Sequence, residues 1–175
     1  MILARLILGL LSLSPMTGYE LKKHFDSSIN HFWNADKAQI YRTLAQLVKD
    51  GHATVLTIAQ SNYPDRQEHH ITELGRETLV QWLEDEVTAH TPREPFLARV
   101  FFAAELERDG VLEMIEARRL ATQALLDEYL SQREDIDMRA AADRRSFLMA
   151  ATLDNGIRHA AAELEWLEAV SEHLP

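Results

Sequence analysis

The sequence predicts a mainly α-helical chain that carries one small β-hairpin. Three short segments with the length or the apolar spacing of helices fill the first fifty residues. A run rich in β-branched residues, Ala53 to Ala59, follows them and leads into a cluster of turn residues, which is typical of a hairpin. Beyond residue 95 glycine and proline are rare, so we expect the second half of the chain to be helical.

The first predicted helix is the segment from Ile2 to Leu13, which is almost wholly apolar and is interrupted by Arg5. It is too short to cross a bilayer, because a spanning helix needs about 20 apolar residues. It also lacks a basic leader and a small-residue cleavage site, so we expect neither a signal peptide nor a membrane partner. We interpret the segment as a buried helix.

The second predicted helix begins at Thr17. Thr17 and Glu20 have the spacing of a capping box, and Pro15 breaks the chain just before them. Apolar residues then continue on one face of the helix, at Leu21, Phe25 and Ile29.

The third predicted helix, between Asp36 and Gly51, has two different faces. One face is apolar, with Ile40, Leu44 and Leu47 at helical spacing. The other face carries amide, guanidinium and hydroxyl groups, the types that reach base edges and phosphates in a major groove. Its members are Gln39, Arg42, Thr43 and Gln46. Asp36 is a predicted N-cap and Gly51 a predicted C′ residue, and Gln39 has the spacing to cap the helix start instead. The alternative is an ordinary surface helix.

The predicted hairpin lies directly after the third helix. Its first strand runs from Ala53 to Ala59, its turn from Gln60 to Arg66, and its second strand from Glu68 to Thr72. Arg66 is therefore expected near the tip. A fourth helix is expected to start near Thr72 and to run through Leu79, Trp82 and Leu83. Three helices followed by a hairpin predict a winged helix-turn-helix.

Several motifs found together in one known family occur along this chain. They are the run from Ile2 to Leu13, Thr17-Gly18-Tyr19-Glu20-Leu21, Trp33, Gln39-Ile40-Tyr41-Arg42-Thr43-Leu44, Leu47, Gly51 and Ile71-Thr72-Glu73-Leu74-Gly75-Arg76. The chain resembles the PadR family of bacterial transcriptional regulators, and the likeness extends more loosely to Phe96–Phe102 and Glu165–Leu167. This resemblance implies a winged helix that binds DNA, a dimer, and diverse effectors that include phenolic acids and drug-like aromatics.

Two positions depart from the family pattern. Arg42 follows the recognition-helix tyrosine, where family members usually carry proline, and we interpret it as an added DNA contact. The wing ends in Gln67-Glu68-His69-His70, where a basic and aromatic strand is usual, so the grip of this wing on DNA is in doubt.

Charge is distributed unevenly along the 175 residues. The net charge is −10, but residues 1–71 balance to +1 while residues 72–175 balance to −11. All four lysines lie in the first part, so the acidity belongs to the half that need not touch DNA. We therefore expect two parts, a DNA-binding domain over 1–90 and a helical dimerisation domain over 91–175, separated near Thr91–Pro95. The absence of cysteine is compatible with the cytoplasm, where we expect the protein.

These patterns predict two sets of DNA contacts. Base-reading side chains are expected on the outer face of the third helix, at Gln39, Tyr41, Arg42, Thr43 and Gln46. Phosphate contacts are expected from the basic residues around that helix, which are Lys22, Lys23, Lys37, Lys49 and Arg66. Twofold symmetry of a dimer would match double-stranded DNA with an inverted-repeat operator.

The C-terminal half predicts helices at Phe96–Leu106, Val111–Gln132 and Ala150–Leu174. In the last of these, apolar residues alternate in steps of three and four, which is a heptad seam. Its predicted dimerisation residues are Leu153, Ile157, Ala160, Leu164 and Leu167. The alternative is that this seam packs against helices of its own chain. An apolar effector pocket is expected among Phe96, Phe101, Phe102, Phe147 and Trp166, although each could also be plain core.

No pattern of a catalytic site occurs in the sequence. The six glycines are scattered, so no phosphate-cradling loop is possible, and we expect no enzyme activity, no cofactor and no metal. His69 and His70 should point to opposite faces of a strand, and His159 with Glu163 is expected to be a solvated helix pair. The leading hypothesis is a dimeric repressor relieved by a small effector. The alternative is a winged-helix module that binds protein and has no DNA role.

Overall fold

The computed structural model describes residues 1–59, 65–86, 93–140 and 143–175, and for residues 134–140 only the course of the chain. The chain divides into two compact units, Met1–Ala89 and His90–Pro175. The predicted turn at 60–64 and the predicted break at 91–92 lie outside the described residues.

The first unit contains four α-helices among its described residues. They are α1 (Ile2–Leu13), α2 (Gly18–His24), α3 (Lys37–Lys49) and α4 (Glu73–Glu84). Helix α2 begins at a complete capping box between Thr17 and Glu20, as predicted, and continues into a π-helical turn, Phe25–Ile29, that the sequence did not predict. Helix α3 begins at Asp36 and is followed by Gly51 at φ 79°, so both predicted ends are confirmed.

A single core holds these helices together. It is built from the apolar faces of α1, α2 and α3, and its largest fully buried members include Ile7, Leu8, Leu11, Leu21, Phe25, Ile40 and Leu44. Trp33 and Leu79 pack against it from the loop before α3 and from α4. The predicted buried character of the first segment is therefore confirmed.

Three antiparallel strands form the wing, in the order β1-β3-β2. They are β1 (Met16–Thr17), β2 (Ala53–Ile58) and β3 (Arg66–Ile71). The pairing of β2 with β3 confirms the predicted hairpin, with Ala53 opposite Ile71 and Ile58 opposite Arg66. The two-residue strand β1 was not predicted, and it pairs with β3 at His69 and Glu68.

Among its described residues the second unit contains a short helix and two long ones. Helix α5 (Pro95–Phe101) ends earlier than predicted and is followed by a 3₁₀ turn, while α6 (Arg108–Ala140) and α7 (Arg144–His173) are both longer than predicted. Gly110 lies inside α6 and does not interrupt the helix. No helix among the described residues is both long and apolar enough to cross a membrane.

The heptad seam of α7 packs against α6 of its own chain, which is the alternative that the sequence left open beside a subunit interface. Leu153 and Ile157 are buried against Tyr129 of α6, and Leu167 is buried with Val111 and Ile115 of the same helix. Ala160 is buried and Leu164 is half-buried. A heptad period requires a partner helix, and here α6 supplies it.

Candidate nucleic-acid interface

The start of α3 is fixed by a reciprocal capping box. Asp36 Oδ1 accepts a hydrogen bond from the Gln39 backbone amide at 2.7 Å, and Gln39 Oε1 accepts one from the Asp36 amide at 3.2 Å. The predicted competing role of Gln39 as a capping residue is therefore confirmed. The cap uses the side-chain oxygen and leaves the Nε2 donor of this exposed residue for another acceptor.

The outer face of α3 presents a continuous set of exposed polar groups. Its members are Lys37, Gln39, Tyr41, Arg42, Gln46 and Lys49, all of which are exposed. The Lys37 ammonium lies 5.7 Å from the centroid of the Tyr41 ring, so these two side chains are held one above the other. Gln46 Nε2 donates to Asp50 Oδ1 at 2.7 Å. The face therefore combines donors, one guanidinium and an aromatic ring, as major-groove recognition requires.

Thr43 does not belong to this outer face, and its predicted place there is wrong. The residue is only 6% exposed. It completes the buried i, i+3, i+4, i+7 stripe with Ile40, Leu44 and Leu47. The polar and apolar stripes share an edge on the helix, and Thr43 lies at that edge, on the buried side.

A groove of about 580 Å³ lies beside the outer face of α3. One wall is apolar and comes from the start of α1 and from Trp33, and the other comes from α3. Its lining includes Ile2, Leu3, Trp33, Gln39, Arg42, Thr43 and Gln46. An apolar wall next to donors can contact a thymine methyl group while the donors read base edges. The sequence reasoning missed this wall, although Trp33 was part of the recognised motif set.

The predicted phosphate contacts are not equivalent in the structure. Lys23, Lys37 and Lys49 are exposed and lie around α3. Lys22 is half-buried and forms a close ion pair with Asp26 one turn later. An ammonium that already faces a carboxylate contributes less to the attraction of a phosphate, so Lys22 is a weaker candidate than Lys23.

Arg66 lies at the turn end of the wing, as predicted, and is engaged in an ion-pair cluster there. Its Nη2 donates to Glu20 at 3.0 Å (Oε1) and lies 3.4 Å from Glu68 Oε2. Glu20 Oε2 also accepts from the Thr17 amide at 2.8 Å. That amide holds the pKa of Glu20 below its ordinary value, and the Thr17 hydroxyl and the Arg66 charge act in the same direction. The carboxylate therefore stays charged at neutral pH and the Arg66 guanidinium is neutralised locally, contrary to the free phosphate contact that was expected.

The adjacent histidines of β3 point to opposite faces, as predicted. His69 is buried, and burial lowers its pKa, although a hydrogen bond with the Met16 backbone acts in the other direction. His70 is half-exposed, and its Nε2 lies 3.0 Å from Glu68 Oε1. Within the described residues no group of three or more histidine, cysteine or acidic side chains could hold a metal ion. Both histidines are parts of strand β3 of the wing.

The predicted effector aromatics of the second unit fall into two groups. Phe96 and Trp166 meet edge to face with ring centroids 6.3 Å apart, and the Arg118 guanidinium lies 5.2 Å from the Phe96 centroid. Phe101 and Phe102 contact each other and are largely exposed, and Phe147 is also exposed.

His159 is not paired with Glu163 as predicted, since Glu163 instead accepts hydrogen bonds from Arg118 at 2.8 Å and from Thr122 at 3.2 Å.

The helix-turn-helix, the polar outer face of α3 and the hairpin define a winged-helix protein of the DNA-binding type. A family model described as "Transcriptional regulator PadR-like family" matches residues 7–81, and one described as "Virulence activator alpha C-term" matches residues 92–174. Residues 7–81 thus form a PadR-like family domain, and the chain is homologous to PadR-like transcriptional regulators, a family that is not an enzyme class.

Two relatives are similar to this chain over most of its length. A probable transcriptional regulator of Mycobacterium tuberculosis is 28% identical over 189 residues, which cover 99% of this chain and 98% of the relative. The negative transcriptional regulator PadR of Bacillus subtilis is 27% identical over 142 residues, which cover 81% of this chain and 77% of PadR. The crystal structure of that PadR in complex with operator DNA matches the fold with a TM-score of 0.88, covering 100% of both chains at 23% identity. Its structure in complex with p-coumaric acid matches with a TM-score of 0.82, covering 98% of both chains at 22% identity.

Proposed function

We propose that this chain is a sequence-specific DNA-binding regulator that acts in the cytoplasm as a dimeric repressor, relieved by a small aromatic or apolar effector. The observation that carries the proposal is the outer face of α3. Tyr41, Arg42 and Gln46 are exposed together on a helix whose other face is locked into the core. The family and the PadR complex with operator DNA support the same role.

In this proposal α3 enters the major groove and Arg42 is the main base reader. A guanidinium can donate two hydrogen bonds to guanine, whereas the proline usual in the family at this position could donate none. Gln39 and Gln46 read beside it, and the apolar wall of the adjacent groove contacts sugar or thymine methyl groups. Thr43 is left out, because its side chain is buried.

Phosphate contacts come from Lys23, Lys37 and Lys49, with a smaller share from Lys22. The wing contributes little, since Arg66 is neutralised by Glu20 and Glu68. Few phosphates are therefore neutralised by one winged helix, and the affinity of a single head for DNA is expected to be low.

Dimerisation offsets this weakness in the proposed mechanism. Two heads on one frame make the second DNA contact intramolecular, and twofold symmetry requires an inverted repeat with half-sites about 34–36 Å apart. The proposed dimer face consists of large apolar side chains that the second unit leaves exposed, among them Leu120, Leu125, Leu130, Phe147 and Leu148. Monomeric proteins rarely leave so much apolar surface in contact with water, and a second copy would cover it.

Repression and its relief are proposed from the relatives. The Bacillus subtilis protein is named a negative regulator, and it has been solved with p-coumaric acid. In this chain the edge-to-face pair of Phe96 and Trp166 offers an aromatic surface within one unit, and the Arg118 guanidinium beside it is paired with Glu163. An aromatic effector fits such a surface.

The test begins with selection of bound duplexes from a randomised pool, followed by affinity measurements by fluorescence anisotropy. Replacing Arg42 with alanine should cost about 1–3 kcal/mol at the selected operator and relax the preference at one base position. Arg144→Ala, which removes an exposed arginine of α7, is the matched control and should change neither quantity. Failure of the wild-type protein to enrich any sequence would contradict the proposed function. An Arg42→Ala protein with unaltered preference would contradict the assignment of the base reader.

A further inference from the structure

We propose that Gly18 is a positioning residue for DNA recognition, because it sets the place of Tyr41 and, through Tyr41, of Lys37. The inference rests on the proposed function and adds to it a residue that has no side chain with which to contact DNA. The first residue of α2 approaches the outer face of α3 closely.

The space at Gly18 is filled by the far end of the Tyr41 ring. A Cβ atom placed on Gly18 would lie 2.7 Å from Tyr41 Cζ, 2.9 Å from Cε1 and 3.1 Å from the hydroxyl oxygen. Gly18 does not have a positive φ, so glycine is needed here for room and not for backbone conformation. The Tyr41 ring thus packs against the buried backbone of Gly18.

The ring that rests on Gly18 also holds a cation. Lys37 precedes Tyr41 by one helical turn, and its ammonium lies 5.7 Å from the ring centroid. The ring itself is 43% exposed, so the contact leaves room for DNA on its outer side. A shift of Tyr41 would therefore displace one proposed base-side contact and one proposed phosphate contact together.

A methyl group at this position cannot be absorbed without movement. The ring is rigid and is attached to α3, and the other side of the contact is the backbone of α2, so either the ring must rotate away or the two helices must separate. Recognition groups need to be held within about 0.5 Å of their productive positions. Gly18→Ala is therefore expected to weaken operator binding by about tenfold or more, as the loss of one base contact does.

The experiment is a double-mutant cycle with Gly18→Ala, Tyr41→Ala and the pair combined. Affinity is measured for the selected operator and for random duplex DNA, and thermal unfolding shows whether each variant is folded. Gly18→Ala should lose operator affinity while binding to random DNA changes less. In the Tyr41→Ala background the same methyl should have almost no effect, since the ring it would meet is gone. Gly9→Ala is the matched control, because nothing lies within 4 Å of the Cβ it would add.

Each outcome decides the proposal. Equal losses from Gly18→Ala with and without the Tyr41 ring would overturn it, since the methyl would then act on α2 alone. If Gly18→Ala is poorly folded, the combined variant decides: operator affinity equal to that of Tyr41→Ala supports the proposal, and lower affinity overturns it. If the wild-type protein selects no operator, the proposed function itself is wrong. If the wild-type protein and Gly18→Ala bind the operator equally well, only this inference is wrong.

Discussion

Arg66 and Glu20 connect the wing to the helix-turn-helix through a hydrogen-bonded ion pair, with Nη2 3.0 Å from Oε1. The same carboxylate caps the start of α2 through Thr17. The first residue of β3 is thereby tied to the first turn of α2. The guanidinium at the turn end of the wing serves this link, so we expect its charge to attract a phosphate less than that of an unpaired arginine.

Replacing Arg66 with alanine should therefore affect stability more than DNA binding. The pair is partly exposed, so its loss should cost no more than about 1 kcal/mol of unfolding free energy. The slope of log affinity against log salt should stay as in the wild-type protein. Lys23→Ala is the comparison, because an exposed lysine at a phosphate flattens that slope by about one. Equal flattening by both substitutions would show that Arg66 does reach DNA.

Thr43→Val tests whether the buried threonine takes part in recognition. The substitution keeps the β-branched shape and removes a hydroxyl from a side chain that is only 6% exposed. We expect operator affinity to change by less than about twofold and thermal stability to be kept or increased, because burying a methyl group costs less than burying a hydroxyl group. Anisotropy titration with the selected operator measures the first and thermal unfolding the second. A loss of operator affinity comparable to that of Arg42→Ala would show that Thr43 contacts the operator.

His69 should make the stability of the wing depend on pH. Burial lowers the pKa of His69, so the unfolded chain takes up its proton first as the pH falls. The contribution of His69 to the unfolding free energy is fully present at pH values above about 6.5, the pKa of histidine in the unfolded chain. It is lost as the pH falls through that value toward the lower pKa of His69 in the folded protein. The slope from this one group cannot exceed about 1.4 kcal/mol per pH unit.

Denaturant unfolding between about pH 8 and pH 5.5 measures this dependence, in a range above the titration of the carboxylates. His69→Gln should show a smaller loss of stability over that range than the wild-type protein. Some dependence should remain, since burial also lowers the pKa of His31. His159→Gln, at an exposed position of α7, is the control. An unchanged slope in His69→Gln would assign the dependence to other groups.

The parts of the fold with strong local signals were predicted correctly from the sequence. The capping boxes at Thr17 and Asp36 and the positive φ of Gly51 fixed where helices begin and end, because these residues satisfy the free backbone groups of helix termini. Strand β1 was missed, since two residues carry no periodicity. Helix α6 begins before the predicted start at Val111, because Gly110 lies in its first turn, where glycine only lowers helix propensity.

The errors in the site have a common physical origin in long-range contacts. Thr43 lies on the border of two overlapping stripes, and only the packing of α3 in the tertiary structure determines that it is buried. Arg66 and Glu20 are 46 residues apart, so their pairing leaves no local pattern. A heptad seam shows that α7 needs a partner helix, but the period is the same whether that helix is α6 or another copy.

The dimer face can be located by comparing exposed and buried positions of the second unit. Leu167 is fully buried against α6, so Leu167→Ala should cost about 2–5 kcal/mol of unfolding free energy whatever the oligomeric state. Leu120 of α6 is 56% exposed within the single chain. Leu120→Glu should therefore leave the protomer folded and place an unpaired charge in the proposed interface, where removal from water costs several kcal/mol.

Sedimentation or light scattering at micromolar concentration should show a dimer for the wild-type protein and a monomer for Leu120→Glu, with thermal unfolding still cooperative. Operator affinity should fall with the dimer, since the second head no longer binds intramolecularly. Leu83→Glu is the matched control, because it makes the same change at an exposed position of α4 and should preserve both the dimer and DNA binding. A Leu120→Glu protein that remains dimeric and binds the same inverted repeat would exclude this face of α6. The exposed apolar residues at the start of α7, Phe147 and Leu148, would then be the next positions at which to introduce charge.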